Sequence, residues 1–147
     1  MLYNLIIFKA DMVSAFTQGV INALLYLEQP EGFIDPKYPD YVLKLNKALY
    51  GLKQSARIWF YTLKPILLKL EFTVLNSEAC LFINRKTKVI ICLYVDDLAI
   101  LAPSKAIFDD FVISISKDFK IKNLGVIKDY LGIDINLNIS KGFIKLN

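Results

Sequence analysis

An α+β fold, in which helices pack on one face of a largely antiparallel sheet, is predicted by three features of the sequence. Short apolar and β-branched runs of strand length recur along the chain. Some of these runs are separated by only two or three residues, which is the spacing of a β-hairpin. Two longer stretches repeat their apolar residues at helical spacing. Because the strands and helices follow one another in mixed order, the pattern is typical of an α+β layout.

The composition indicates one folded domain over residues 1–147 and limits its chemistry. Apolar residues make up 55% of the chain and aromatic residues 13%, more than a disordered segment carries. The net charge of +4 weakly favours a polyanionic partner. The absence of histidine excludes Ser-His and Cys-His catalysis and the usual zinc sites. Cys80 and Cys92 are the only cysteines, so we expect a reducing compartment and no disulfide scaffold.

The two ends of the chain predict a piece of a longer protein. Residues 1–8 are apolar but lack the basic start of a secretory signal. The apolar run around Cys92 is too short to span a membrane and has two acidic residues at its centre, so we expect no membrane partner. Both ends lie inside apolar stretches.

The elements before residue 46 are predicted to be short. A strand over 2–10 leads to Asp11, and residues 16–25 form a short helix or loop. Further strands are predicted over 24–29 and 41–45, and turn-forming residues make 35–40 an exposed loop.

The main helix is predicted over residues 48–70. Its apolar residues recur at helical spacing and predict a core-facing stripe of Trp59, Leu63, Ile66, Leu67 and Leu70. Ser55 is predicted as the N-cap. Pro65 is expected to kink the helix or split it in two.

The stretch 41–70 carries six basic residues and no acidic one. For Lys64 and Lys69 we favour a solvated helix face. For Lys53 and Arg57, which flank the turn at Gly51, a role facing an anion is an equally good interpretation.

The second half of the chain is predicted to contain hairpins and one more helix. Residues 72–80 are predicted to be irregular, followed by a strand pair over 81–84 and 88–95. Ser104 is predicted to cap a helix over 105–119, whose core-facing stripe is Ile107, Phe108, Phe111, Ile115 and Phe119. Late strands are predicted over 130–135 and 142–146.

Two adjacent acidic residues, Asp96 and Asp97, interrupt the apolar run 89–102. A buried, unpaired carboxylate is too costly to keep, so the pair must reach water or a cation. A hairpin with strands over 89–95 and 98–102 places both aspartates at its tip. The alternative is an ordinary solvated turn, since aspartate is a common turn residue.

Asp11 also emerges from an apolar strand. If that strand lies beside the acidic hairpin, three carboxylates gather at one sheet edge, where each raises the pKa of the others. Bound Mg²⁺ or Mn²⁺ would relieve this repulsion, and a pair of such ions can promote in-line phosphoryl displacement.

Five blocks of sequence, spread over nearly the whole chain, carry a family resemblance. In order they are Asp11-Met12-Val13-Ser14-Ala15-Phe16, Tyr26-Leu27-Glu28-Gln29-Pro30-Glu31-Gly32-Phe33, Leu43-Lys44-Leu45-Asn46-Lys47-Ala48-Leu49-Tyr50-Gly51-Leu52-Lys53-Gln54-Ser55-Ala56-Arg57-Ile58-Trp59, Leu93-Tyr94-Val95-Asp96-Asp97 and Tyr130-Leu131-Gly132-Ile133. Together they resemble the reverse transcriptase of copia-type LTR retrotransposons. The second and third blocks are specific to this group. Val13 and Pro65 are among the departures from the family pattern, and none of the departures alters an aspartate of these blocks.

The resemblance implies a palm subdomain and an RNA-directed DNA polymerase. Asp11, Asp96 and Asp97 would be the catalytic residues and hold two Mg²⁺ ions, with Mn²⁺ as a substitute. In this family the 3′-hydroxyl of a primer attacks the α-phosphate of a dNTP, and pyrophosphate leaves. Phe16 lies where the family carries an aromatic gate against the ribose 2′-hydroxyl; the alternative is a core phenylalanine.

The resemblance also implies nucleotide- and nucleic-acid-binding residues and partners. Tyr50 and Gly51 would line the dNTP and template pocket, Lys53 and Arg57 would lie near phosphates, and Tyr94 would lie under the primer end. The partners implied are an RNA or DNA template with its primer, dNTP, and ribonuclease H and integrase domains of a parent polyprotein. The implied location is intracellular, in a cytoplasmic virus-like particle or the nucleus.

Two alternatives to an active polymerase remain open at this point. One is a catalytically dead remnant that keeps the palm fold and at most binds nucleic acid. The other is a palm-like enzyme that acts on free nucleotide, such as a cyclase, against which the block around Gly51 argues.

Overall fold

The structure is a computed structural model that describes residues 5–21, 23–138 and 143–146. These residues form β-strands and two α-helices. The helices are α1 (Ser55–Lys69) and α2 (Lys105–Ile115), and one 3-10 turn spans Phe16–Gln18. The strands are β1 (Ile6–Met12), β2 (Tyr26–Glu28), β3 (Val42–Lys44), β4 (Thr73–Leu75), β5 (Glu78–Asn84), β6 (Val89–Tyr94), β7 (Asp97–Ala102), β8 (Ile121–Val126), β9 (Asp129–Tyr130), β10 (Ile133–Asn138) and β11 (Phe143–Leu146).

The main sheet has six strands in the order β4-β5-β6-β7-β1-β8, and every neighbouring pair is antiparallel. Two smaller antiparallel sheets are formed by β2 with β3 and by β9, β10 and β11. The predicted α+β class is therefore confirmed. The N-terminal strand β1 lies directly beside β7, the returning strand of the acidic hairpin.

Alternation along β1 separates a buried face, which the helices cover, from a less buried one. Phe8, Ala10 and Met12 of β1 are buried in the same core as residues of α1 and α2. The intervening residues Lys9 and Asp11 lie on the opposite face, which we call the open face. Asp97 and Tyr94 lie on it too, because residues directly opposite in an antiparallel pair share a face.

Both helices bury the apolar stripes that the sequence predicts. Those of α1 are Trp59, Leu63 and Leu67, with Ile66 and Leu70 partly buried, and those of α2 are Phe108, Phe111 and Ile115, with Phe119 buried just beyond the helix. The rings of Phe8 and Phe108 stack at 4.3 Å, which fixes α2 against β1. Each such side chain contributes about 1.5–3 kcal/mol of burial free energy.

Three predictions about helix boundaries meet different outcomes. The Ser104 cap is confirmed, since its hydroxyl accepts a hydrogen bond from the Ile107 amide. The Ser55 cap is wrong: Gln54 occupies that position, and the Ser55 hydroxyl instead donates to the Leu49 carbonyl. Pro65 does not split α1, which runs through it as one helix.

Neither helix in the described residues is long and apolar enough to cross a membrane.

Two stretches gain order that local pattern does not predict. Residues 72–80, predicted to be irregular, contain β4 and the start of β5, whose pairing completes one edge of the main sheet. Residues 121–125, for which no strand is predicted, lie in β8 at the other edge, paired with β1.

Candidate active site

The three predicted aspartates lie at the same end of the main sheet. Asp11 of β1 lies directly opposite Asp97 of β7 in the strand register. The amide of Met12 donates to the Asp96 carbonyl at 2.9 Å, which ties the end of β1 to the hairpin turn. The strand that ends at Asp11 therefore lies beside the acidic hairpin, because β1 and β7 are neighbours in the sheet.

The hairpin turn itself is strained and held from two sides. Tyr94 pairs with Asp97, so the two-residue turn consists of Val95 and Asp96. The prediction that both aspartates form the tip is therefore wrong by one residue, because Asp97 is already the first residue of β7. Val95 has φ +57°, a conformation that a β-branched residue adopts at a cost of about 1–3 kcal/mol. The indole Nε1 of Trp59 donates to the Val95 carbonyl at 2.7 Å and, with the Met12–Asp96 bond, holds the turn in place.

The electrostatics of the open face show that the carboxylates repel one another. Partial burial, followed by the charges of Asp96 and Asp97, raises the pKa of Asp11. Lys122, opposite Asp11 on β8, and Lys9 act in the other direction. The site is therefore a concentration of negative charge that its flanking lysines offset only in part.

Lys9 links this charge to the small sheet that follows. Its Nζ lies 2.6 Å from the Asp129 Oδ1, and this hydrogen bond raises the pKa of Lys9. Burial lowers that pKa, whereas the charges of Asp97 and Asp11 raise it further. Alternation places Lys9 two residues before Asp11 on the same face, so the spacing alone was a usable signal. Nothing in the sequence indicated Asp129.

The donor set suits a hard divalent cation held jointly with a ligand. Within residues 5–21, 23–138 and 143–146, no three acidic or cysteine side chains converge closely enough to enclose a metal ion. Mg²⁺ seldom requires such a cage, because it usually retains waters and binds one or two carboxylates together with substrate phosphates. Asp11 and Asp97, which face each other, are the residues that would hold such an ion, and a bound cation would offset the repulsion between them.

An aromatic pair borders the carboxylates. The hydroxyl of Tyr50 donates to the Asp96 Oδ2 at 3.0 Å, and the Tyr50 ring lies 4.4 Å from the ring of Phe16. Burial and the Asp96 carboxylate raise the pKa of Tyr50, so its hydroxyl remains a donor at neutral pH. Phe16 is 9% exposed and belongs to the core, and its ring is tilted by 50° relative to that of Tyr50.

The remaining predicted residues lie around this centre rather than in it. Gly51 follows Tyr50 with φ +94°, where a side chain would be strained. Tyr94 is 57% exposed on the open face and is therefore not a core residue. Lys53 and Arg57 are exposed and have no contact with the three aspartates in the structure. Arg57 instead lies 5.7 Å from the ring centroid of Tyr61.

Two supporting residues were not recognised as such from the sequence. Trp59 was predicted only as a core residue, yet it also holds the turn. The hydroxyl of Tyr130 donates to the Cys92 carbonyl at 3.2 Å, and burial raises its pKa to about 12. Its place in the fifth sequence block was the available signal, although the pattern did not indicate what it contacts.

Comparison with known proteins agrees with this architecture, an antiparallel sheet that presents acidic residues at the ends of neighbouring strands. Residues 1–147 match the family model described as reverse transcriptase (RNA-dependent DNA polymerase). No solved structure matches the chain. The chain belongs to the reverse transcriptase family, and its fold is that of a palm-like domain.

The relatives are Pol polyproteins of retrotransposons, as the copia-type resemblance predicted. The chain is 37% identical over 128 residues to the retrovirus-related Pol polyprotein from transposon RE1 of Arabidopsis thaliana, covering 86% of this chain and 9% of that protein. It is 34% identical over 130 residues to the Pol polyprotein from transposon TNT 1-94 of Nicotiana tabacum, covering 86% of this chain and 10% of that protein. Against the transposon Ty1-NL2 Gag-Pol polyprotein of Saccharomyces cerevisiae it is 32% identical over 151 residues, covering 97% of this chain and 8% of that protein. The chain thus spans about a tenth of the length of these relatives.

Proposed function

We propose that this reverse transcriptase domain extends a primer on an RNA or DNA template, with Asp11, Asp96 and Asp97 holding two Mg²⁺ ions. The observation that carries the proposal is the direct opposition of Asp11 and Asp97 across β1 and β7. We further propose that it acts inside the cell, in a virus-like particle or the nucleus, beside ribonuclease H and integrase domains of a parent polyprotein.

The proposed reaction is a nucleotidyl transfer. The primer 3′-oxygen forms a bond to the α-phosphorus of a dNTP, the bond to the bridging oxygen of pyrophosphate breaks, and the hydroxyl proton passes to solvent. Bound Mg²⁺ would lower the pKa of that hydroxyl and neutralise charge that develops on the phosphate. The backbone bond from Met12 to Asp96 and the strand register keep the carboxylates at the sheet end in a fixed arrangement, so little reorganisation is needed.

Phe16 is proposed to exclude ribonucleotides by the bulk of its ring. Replacing Phe16 with valine should weaken discrimination between dNTP and rNTP by roughly tenfold or more, because only steric bulk opposes the 2′-hydroxyl. The ratio of kcat/KM values for dTTP and UTP measures this. Phe33→Val is the matched control, since Phe33 is 80% exposed in a loop. An unchanged ratio in Phe16→Val would leave Phe16 with a core role alone.

The outer side of α1 is proposed to contact the nucleic-acid backbone. A groove of about 410 Å³ runs between this helix and the 3-10 turn, and Arg57 and Tyr61 lie along it. A cation beside an exposed ring is a combination that binds single strands. Arg57→Ala should weaken template–primer binding and lower the slope of log K against log salt by about 1. Lys69→Ala, at the far end of α1, should leave that slope unchanged. Equal slopes in the wild type and both variants would exclude the groove as a contact with nucleic acid.

Primer extension on poly(rA)/oligo(dT) with Mg²⁺ or Mn²⁺ tests the proposal as a whole. Extension by the wild type that is lost in Asp96→Asn and kept in Asp40→Asn, a loop aspartate, would support it. Salt-sensitive RNA binding without extension would instead establish the second candidate, a palm-fold remnant that binds nucleic acid. The observation favouring that candidate is the lack of three converging carboxylate side chains among the described residues.

A further inference from the structure

Tyr50 connects two parts of the site that the strands do not connect. Its hydroxyl donates to the Asp96 Oδ2 at 3.0 Å, and its ring rests against Phe16 at 4.4 Å with an interplanar angle of 50°. The side chain is 57% exposed, so burial of apolar surface does not account for its position. Polar contact with Asp96 and ring contact with Phe16 are what hold it there.

The backbone on both sides of Tyr50 is anchored. The Ala48 amide donates to the Gly19 carbonyl at 3.0 Å, and Val20 forms a bridge with Lys47. Ser55, which follows Tyr50 in the chain, donates its hydroxyl hydrogen bond to the carbonyl of Leu49, the residue before Tyr50. A donor presented from an anchored segment restricts the orientation of its acceptor more than one on a mobile loop does.

Asp96 is the carboxylate that most needs such support. It lies in the two-residue turn next to the strained Val95, whereas Asp11 and Asp97 lie on paired strands. A hydrogen bond to Oδ2 fixes the carboxylate plane and leaves Oδ1 and the second lone pair of Oδ2 available. Partners that orient a metal ligand in this way typically change metal affinity 10–100-fold when they are removed.

We propose that Tyr50 is a positioning residue that orients Asp96 for cation binding and joins it to the Phe16 ring. This inference rests on the proposed function, because it assumes that Asp96 is a ligand. The hydroxyl and the ring of Tyr50 then have separable roles. The hydroxyl sets the orientation of Asp96, and the ring supports Phe16.

Two substitutions separate these roles. Tyr50→Phe removes the hydroxyl and keeps the ring, so Mn²⁺ affinity should fall about tenfold while the dNTP to rNTP selectivity stays unchanged. Tyr50→Leu removes both and should lose affinity and selectivity together. Tyr26→Phe removes a hydroxyl from an exposed tyrosine of β2 and serves as the matched control.

Mn²⁺ binding is measured by electron paramagnetic resonance on the protein without nucleotide, so the readout does not depend on turnover. Circular dichroism confirms that each variant is folded. Affinity in Tyr50→Phe equal to or tighter than in the wild type would overturn the positioning role and leave the metal site intact. A wild type that binds no Mn²⁺, either alone or with a dNTP analogue that cannot be cleaved, would overturn both this role and the proposed function.

Discussion

Asparagine at position 11 or 97 is expected to abolish nucleotide incorporation and to leave the fold intact. Each change removes one charge from the facing carboxylate pair. The cations that we propose to bind there would stabilise the transition state by several kcal/mol, so incorporation should fall by roughly 10³-fold or more. Because the carboxylates repel each other, the melting temperature of Asp11→Asn or Asp97→Asn should equal or exceed that of the wild type.

The pH dependence of stability provides a second readout for Asp11. A carboxyl group whose pKa is raised in the folded state binds its proton more tightly there than in the unfolded chain. Ionisation of Asp11 therefore lowers the free energy of unfolding. This loss is absent below the ordinary pKa of 3.8, grows as the pH rises toward the pKa in the folded state, and is complete above that folded-state pKa. The stability gained in Asp11→Asn should be largest at neutral pH and disappear below that ordinary value.

Urea denaturation at pH 7 and at pH 3.5 measures this difference, with Asp40→Asn as the control from an exposed loop. A sharp fall in melting temperature in both Asp11→Asn and Asp97→Asn would show that these carboxylates stabilise the fold. Full primer extension by either variant would remove that residue from the catalytic set.

Trp59→Phe is expected to cost stability and activity together. The indole is 1% exposed, packs edge-on against Phe119 at 5.2 Å, and donates to the Val95 carbonyl in the strained turn. Phenylalanine keeps most of the packing but leaves the carbonyl without this donor, which costs about 1–3 kcal/mol. Trp59→Ala also creates a cavity and should cost about 3–5 kcal/mol.

The functional consequence distinguishes turn support from ordinary core packing. If Trp59 holds the turn that carries Asp96, Trp59→Phe should reduce kcat at temperatures where the variant is fully folded. Tyr61→Phe, an exposed aromatic change on the same helix, should shift stability by less than about 0.5 kcal/mol. A Trp59→Phe variant with wild-type stability and wild-type kcat would contradict the role that the structure gives this side chain.

Local sequence pattern predicted the elements whose signals lie within themselves. The stripes of α1 and α2, the Ser104 cap and the acidic hairpin each depend on residues a few positions apart, and each is present. It did not predict β4 or β8, because a short edge strand is defined by the partner that it pairs with rather than by its own periodicity. Ser55 has the residue type of a cap, but it is the first residue of α1, and its hydroxyl donates to the Leu49 carbonyl.

The same distinction applies to the site. Spacing allowed Asp11 to meet Asp96 and Asp97, and the family resemblance made that expectation specific, but only the β1–β7 pairing brings them together. The contacts of Trp59, Tyr50 and Lys9 join residues 36, 46 and 120 positions apart, so no local pattern could indicate them. These long-range contacts are what turn a set of aspartates into an ordered site.

Asp11 and Asp97 are proposed to share a divalent cation across two neighbouring strands. Anomalous diffraction from crystals of the protein grown with Mn²⁺ and a dNTP analogue that cannot be cleaved would locate this cation. We expect an ordered Mn²⁺ peak on the open face, roughly 2.0–2.6 Å from a carboxylate oxygen of each residue. Mn²⁺ ordered only at other positions, with none within reach of Asp11 and Asp97, would contradict this proposal.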